Sequence, residues 1–180
     1  MLGQTDIPTL AICILAVLAA ASDLAFGRIF NGLTVSFGVA AIIYAGMNHG
    51  LSGVGASLLG ILVGFLLYSW MFWLRVLGGG DVKLLMAFGA WGGTRYTLDV
   101  ALLGIMLGGV MAVFWLAMKG KFGGFVRKAQ RFIMSLVVRE LEVEKFEIDR
   151  RITMPFGIPI SIAAVWVQFG SPFVHWGGVQ

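Results

Sequence analysis

Residues 51–74 read LSGVGASLLGILVGFLLYSWMFWL, an apolar run without a charged side chain anywhere along it. As a helix this run rises ~36 Å, enough to cross the ~30 Å hydrocarbon core of a bilayer. Working outward with the same ruler, Ile7–Leu24 and Leu33–Met47 qualify on the N-terminal side. Leu98–Met118 and Ile152–Val174 qualify on the C-terminal side. Between them lies a shorter apolar piece, Val82–Trp91, which rises only ~15 Å on its own. It reaches further if the glycines on either side (Gly78–Gly80, Gly92–Gly93) continue it. The reading is an all-α integral membrane protein with about six transmembrane helices.

Composition agrees. Of 180 residues, 59% are hydrophobic and 12% charged, against about 25% charged in an average soluble domain. A soluble chain this small has too little interior to hide so much apolar surface, so lipid is the expected partner and nucleic acid is not. The 26 glycines fit as well, because small residues let membrane helices approach closely. Cys13 is the only cysteine, which excludes an internal disulfide or a multi-thiolate metal site. His49 and His175 sit near the ends of apolar runs, lack partners at metal-ligand spacing, and read as loop residues. No Lys or Arg precedes the first apolar run and Asp6 does, so that run reads as a transmembrane helix rather than a removable signal peptide.

Charge sets the orientation. With six crossings and the N-terminus outside, the cytoplasmic segments are 25–32, 75–83 and 119–151. They hold every basic residue except Arg95, in keeping with the positive-inside rule. The whole chain, 1–180, then forms a single polytopic domain. Its one sizeable soluble part is the cytoplasmic loop 119–151. There, Lys119, Lys121, Arg127, Lys128 and Arg131 alternate with Phe122, Phe125, Phe132, Ile133 and Leu136 at helical spacing. That pattern suits an amphipathic helix lying on the anionic inner leaflet. The sets Gly60–Gly64 and Gly104–Gly108 read as helix-packing faces.

Two of the five aspartates are oddly placed. Asp23 falls in the last turn of the first helix, and Asp81 follows Gly78-Gly79-Gly80 at the start of the short segment. Both lie at the cytoplasmic edge, where ionisable groups are expensive and often functional. Either one alone could simply pair with a nearby base, Arg28 or Lys83. Together they offer more. Two close carboxylates in a poorly solvated site cannot both ionise easily, so one keeps its proton. The pair supplies a base to activate water and an acid to protonate a leaving amine. The three glycines are expected to break the helix and let an extended backbone approach the carboxylate. On chemistry alone this is a membrane acid–base site of unnamed substrate.

The residues also match a known family. Gly78-Gly79-Gly80-Asp81-Val82-Lys83-Leu84-Leu85 resembles the Gly-x-Gly-Asp signature of prepilin-type leader peptidases. Asp23, followed by Arg28-Ile29-Phe30-Asn31, resembles their other aspartate and the Ile-Pro-Asn-like motif after it. Pro155-Phe156-Gly157-Ile158-Pro159 is similar to the element opening their last helix. The resemblance implies that Asp23 and Asp81 hydrolyse a peptide bond in prepilin or pseudopilin precursors at the cytoplasmic face of a bacterial inner membrane. Gly78, Gly79, Gly80, Asn31, Lys83, Pro155 and Gly157 would support them, and no metal or organic cofactor is implied.

Two departures stand out. Phe30 replaces the usual Pro, and Gly27–Gly32 is too short to hold the Cys-x-x-Cys domain that large members associate with N-methylation. The expectation is therefore a non-methylating peptidase, of the compact kind that resembles the enzymes of tight-adherence (Flp-type) pili. Two rivals remain, a small proton- or ion-coupled transporter and a non-catalytic pilus-assembly protein. The transporter would want acidic residues near mid-bilayer and a repeated architecture, and neither is apparent.

Overall fold

The computed structural model describes residues 7–74, 76–118 and 156–170. All regular structure among them is helical: α1 (Ile7–Phe26), α2 (Asn31–Trp73), α3 (Gly79–Met118) and α4 (Gly157–Phe169). The amphipathic segment 119–151, Pro155 and His175 lie outside the described residues. The chain divides into two compact units, residues 1–108 with 155–180, and residues 109–154. Of the second unit, only the end of α3 is described.

α2 and α3 are too long to be straight spans, and each breaks at one glycine. Gly50 (φ 61°, ψ −146°) divides α2, and Gly93 (φ 73°, ψ −172°) divides α3. Both sit at positive φ, which glycine alone adopts freely because it has no Cβ. The limbs on either side fold back on each other. A Cβ on Gly46 would meet Val54, and one on Gly89 would lie 2.7 Å from Thr97 Oγ1. The chain thus reverses at a single residue, with Gly92 continuing the short segment as allowed and helix resuming through Arg95. Thr97 helps to seal the turn, donating its hydroxyl to the Gly93 carbonyl at 2.7 Å. His49, expected in a loop, is instead the last residue before the break in α2, and its carbonyl accepts the Ser52 hydroxyl.

The second limb of α2 packs on the first limb of α3 with the backbones in contact. A Cβ on Gly60 would run into the Gly89 carbonyl, and one on Gly64 would lie 3.1 Å from the Leu85 carbonyl oxygen. Gly104 and Gly108 are likewise closed off, by the Tyr68 hydroxyl and the Phe156 ring. Both small-residue patterns are therefore packing faces. Ser57 donates to the Ala90 carbonyl (2.9 Å) and Tyr68 to the Ala101 carbonyl (3.1 Å), so these two buried hydroxyls are satisfied.

α4 runs against α1. Gly157 meets Asp23 at one end and Gln168 meets Thr9 at the other, which makes the two helices antiparallel. Between those ends Ile12, Leu15, Ala16 and Ala19 pack in the core with Ile160, Ala163 and Ala164, all nearly inaccessible. The short segment that opens α3 is among the most enclosed. Leu84, Leu85, Ala87, Phe88 and Ala90 are all buried there. A segment walled in by other helices need not match the bilayer's thickness itself.

The outer faces are apolar. Val17, Leu24, Val35, Ile43, Leu62 and Leu66 are all exposed, on helices of which three are long and apolar enough to cross a membrane. A water-soluble monomer does not carry apolar surface on this scale. The protein is an all-helical membrane protein.

Candidate active site

Asp23 closes α1 three residues before its end. Its carboxylate is 6% exposed, and Oδ2 accepts the Gly157 N–H at 2.7 Å. The Ile158 N–H also bonds to it. These are first-turn amides of α4, which have no partners within their own helix and suit an anion. The lack of a side chain at position 157 is required: a Cβ there would sit 2.8 Å from Asp23 Oδ2 and 2.9 Å from Ile29 Cδ1.

Asp81 is the third residue of α3 and 8% exposed. Its Oδ2 accepts the N–H of Gly78, just before the helix, at 3.0 Å, while its own N–H donates to the Gly78 carbonyl at 3.1 Å. This is the returning half of a capping box, an acid at the third position satisfying the amide ahead of the helix. The two carboxylates lie within electrostatic reach of each other. Ile29 fills the space between the segments that carry them, since a Cβ on Gly80 would approach Ile29 Cβ to 3.2 Å.

Gly78 lies in the break between α2 and α3, as expected of the glycines before Asp81, but the other two are helical. Gly79 and Gly80 form the first turn of α3, and among the described residues positive φ occurs only at Gly27, Gly50 and Gly93. Their contribution is a narrow approach: a Cβ on Gly78 would lie 3.2 Å from Asp81 Oδ2. Among the described residues, the two bases nearest in sequence are engaged elsewhere. Lys83 donates to Asn31 Oδ1 at 3.0 Å, bringing together two of the expected supporting residues, and Arg28 lies over the Phe30 ring at 5.3 Å. Phe30 itself has φ −72° and ψ 129°, which is where a proline would hold the chain. The substitution leaves that backbone path intact.

Two neighbours were missed from sequence. Ile29, quoted in the Ile-Pro-Asn-like motif but given no role there, is a buried wedge in an otherwise exposed link. Tyr68 is wholly buried, within electrostatic reach of Asp81. A lone phenol in an apolar run was the available clue. Among the described residues, no group of three or more His, Cys, Asp or Glu is arranged to hold a metal ion.

A helical membrane protein with two buried carboxylates at neighbouring helix ends has the parts of an intramembrane acid–base enzyme. The chain belongs to the type IV leader peptidase family, whose pattern matches residues 10–113, a range that includes Asp23 and Asp81 and stops short of α4. It is similar to the prepilin leader peptidase/N-methyltransferase of Xanthomonas campestris pv. campestris, with 30% identity over 120 residues. The match takes in 63% of this chain and 32% of that relative, so the chain spans about a third of the relative's length. No solved structure matches it.

Proposed function

We propose that this chain is an aspartic endopeptidase that removes the leader peptide from prepilin or pseudopilin precursors. It acts at the cytoplasmic face of a bacterial inner membrane, with six spans and both termini outside. The observation that supports it most is the pair of buried carboxylates, Asp23 held by the Gly157 N–H of α4 and Asp81 by the Gly78 N–H just before its own helix. One carboxylate takes a proton from water as the oxygen attacks the scissile carbonyl carbon. The other, protonated, gives its proton to the departing amine as the C–N bond breaks. Glycine at 78, where a Cβ would lie 3.2 Å from Asp81 Oδ2, keeps a side chain from crowding that carboxylate.

The basic residues of the cytoplasmic segments fit this orientation. Membership of the family and the likeness to a prepilin leader peptidase support the substrate class. The chain acts without N-methyltransferase activity, since α1 and α2 are joined by 27–30 alone and Cys13 is the only cysteine. This is the compact form that resembles the peptidases of Flp-type pili.

The test is co-expression with a candidate prepilin, reading the pilin's mass. Wild type is expected to remove a leader-sized fragment and leave an unmethylated N-terminus. Asp23→Asn and Asp81→Asn are each expected to lose cleavage while still inserting. Processing by either variant at near wild-type rate would defeat the two-carboxylate mechanism. Absence of processing by well-inserted wild type across several precursors would favour the transporter or scaffold readings.

A further inference from the structure

Beside Lys83 the surface opens into a cleft of about 250 Å³. Val35, Val39 and Ile42 of α2's first limb, Ile61 of its second, and Met86 of α3 form apolar walls, with Lys83 at the end nearest the start of both helices. From Thr34 to Ile42 the wall runs ~12 Å along α2, from the level of the Asn31–Lys83 bond into the apolar zone. Gly38 lines the cleft, and a Cβ there would meet no atom within 4 Å. The Lys83 side chain is exposed, and its described partner, the Asn31 amide oxygen, is neutral. An ammonium has three protons to donate. The site thus joins a narrow apolar slot to a cation at its outer end.

The occupant follows from direction and charge. At 100° per residue, Lys83, Met86 and Ala87 lie on the opposite side of α3 from Asp81. A peptide seated here would not present a bond to the carboxylates. An alkyl chain fits the slot, and a phosphate beside Lys83 supplies the missing negative charge.

We propose that this cleft binds an anionic phospholipid, with one acyl chain along α2 and its phosphate against Lys83. The bound lipid braces the start of α2 against the start of α3, the segment that carries Asp81. The assignment is independent of the peptidase reading.

The test uses the full chain in nanodiscs of phosphatidylcholine doped with phosphatidylglycerol, with retained lipid counted by native mass spectrometry. Wild type is expected to retain phosphatidylglycerol about fivefold over phosphatidylcholine, the effect of one lysine near an anionic headgroup. Lys83→Gln should remove that preference and Lys83→Arg restore it. Gly38→Leu projects a side chain into the slot from a position whose Cβ meets no protein atom, and should expel either lipid, with the helical circular dichroism unchanged. Inorganic phosphate at millimolar concentration should not compete, because it has no chain to bury. Equal retention of the two lipids by wild type would overturn the proposal, as would displacement by phosphate alone. So would undiminished lipid on Gly38→Leu combined with weaker capture of a precursor, which would assign the slot to peptide.

Discussion

Asp81 returns a hydrogen bond to the Gly78 N–H, so the same carboxylate that stands in the candidate site also caps α3. Two substitutions separate those roles. Asp81→Asn keeps an oxygen for the Gly78 amide and should leave stability nearly unchanged while cleavage is lost. Asp81→Ala removes the cap as well and should cost a further ~0.5–2 kcal/mol, read from unfolding in mixed detergent micelles. At Gly157 the prediction concerns geometry. Gly157→Ala pushes a methyl toward Asp23 Oδ2 and Ile29, and should cut cleavage at least tenfold while α4 still forms, as precursor processing and circular dichroism would show. The aspartates were legible in the sequence because a charge stands out in an apolar run. The amides that hold them were not, since a backbone N–H leaves no mark on a sequence. Gly157 was reached only through the resemblance of Pro155–Pro159 to a known element.

At the scale of helices, the apolar runs located every described element. What they left open was how the runs connect. Gly92, Gly93 and Arg95 look like a loop to any measure of hydropathy, yet the reversal is confined to Gly93 and helix resumes at once. Thr94 and Arg95 stay exposed, but the next two polar residues are absorbed by packing: Thr97 is fully buried, and the Tyr96 hydroxyl donates to the Ala164 carbonyl at 2.8 Å. The short span was likewise ambiguous by length, because its partners rather than its own sequence shield it. Packing at the α2–α3 crossing gives a contrast between two glycines on one limb. Gly60→Ala drives a methyl into the Gly89 carbonyl and should destabilise by about 1–3 kcal/mol. Gly55→Ala meets nothing within 4 Å and should be neutral or stabilise by up to ~1 kcal/mol, as expected for alanine inside a helix. Equal losses at the two sites in the same unfolding assay would show that the crossing is not governed by backbone approach.

For the molecule as a whole, the sequence carries orientation in its basic residues, and labelling tests it directly. In a Cys13→Ser background, Arg28→Cys should react with a membrane-impermeant maleimide only from the cytoplasmic side. His49→Cys, beside the break in α2, should react only from outside. Reaction of both from one side would remove the hairpin crossing at 31–49. The bond between Asp23 and Gly157 joins positions 134 residues apart, the first helix to the last one described. At a synthesis rate of about 5–20 residues per second, roughly 7–27 s separate the two ends of that bond on the ribosome. Through that interval α1 can lie in the bilayer with its carboxylate still lacking the amides that will receive it. The candidate site is therefore completed late, by the arrival of α4, and a nascent chain halted before residue 157 holds both aspartates without the amides that receive Asp23.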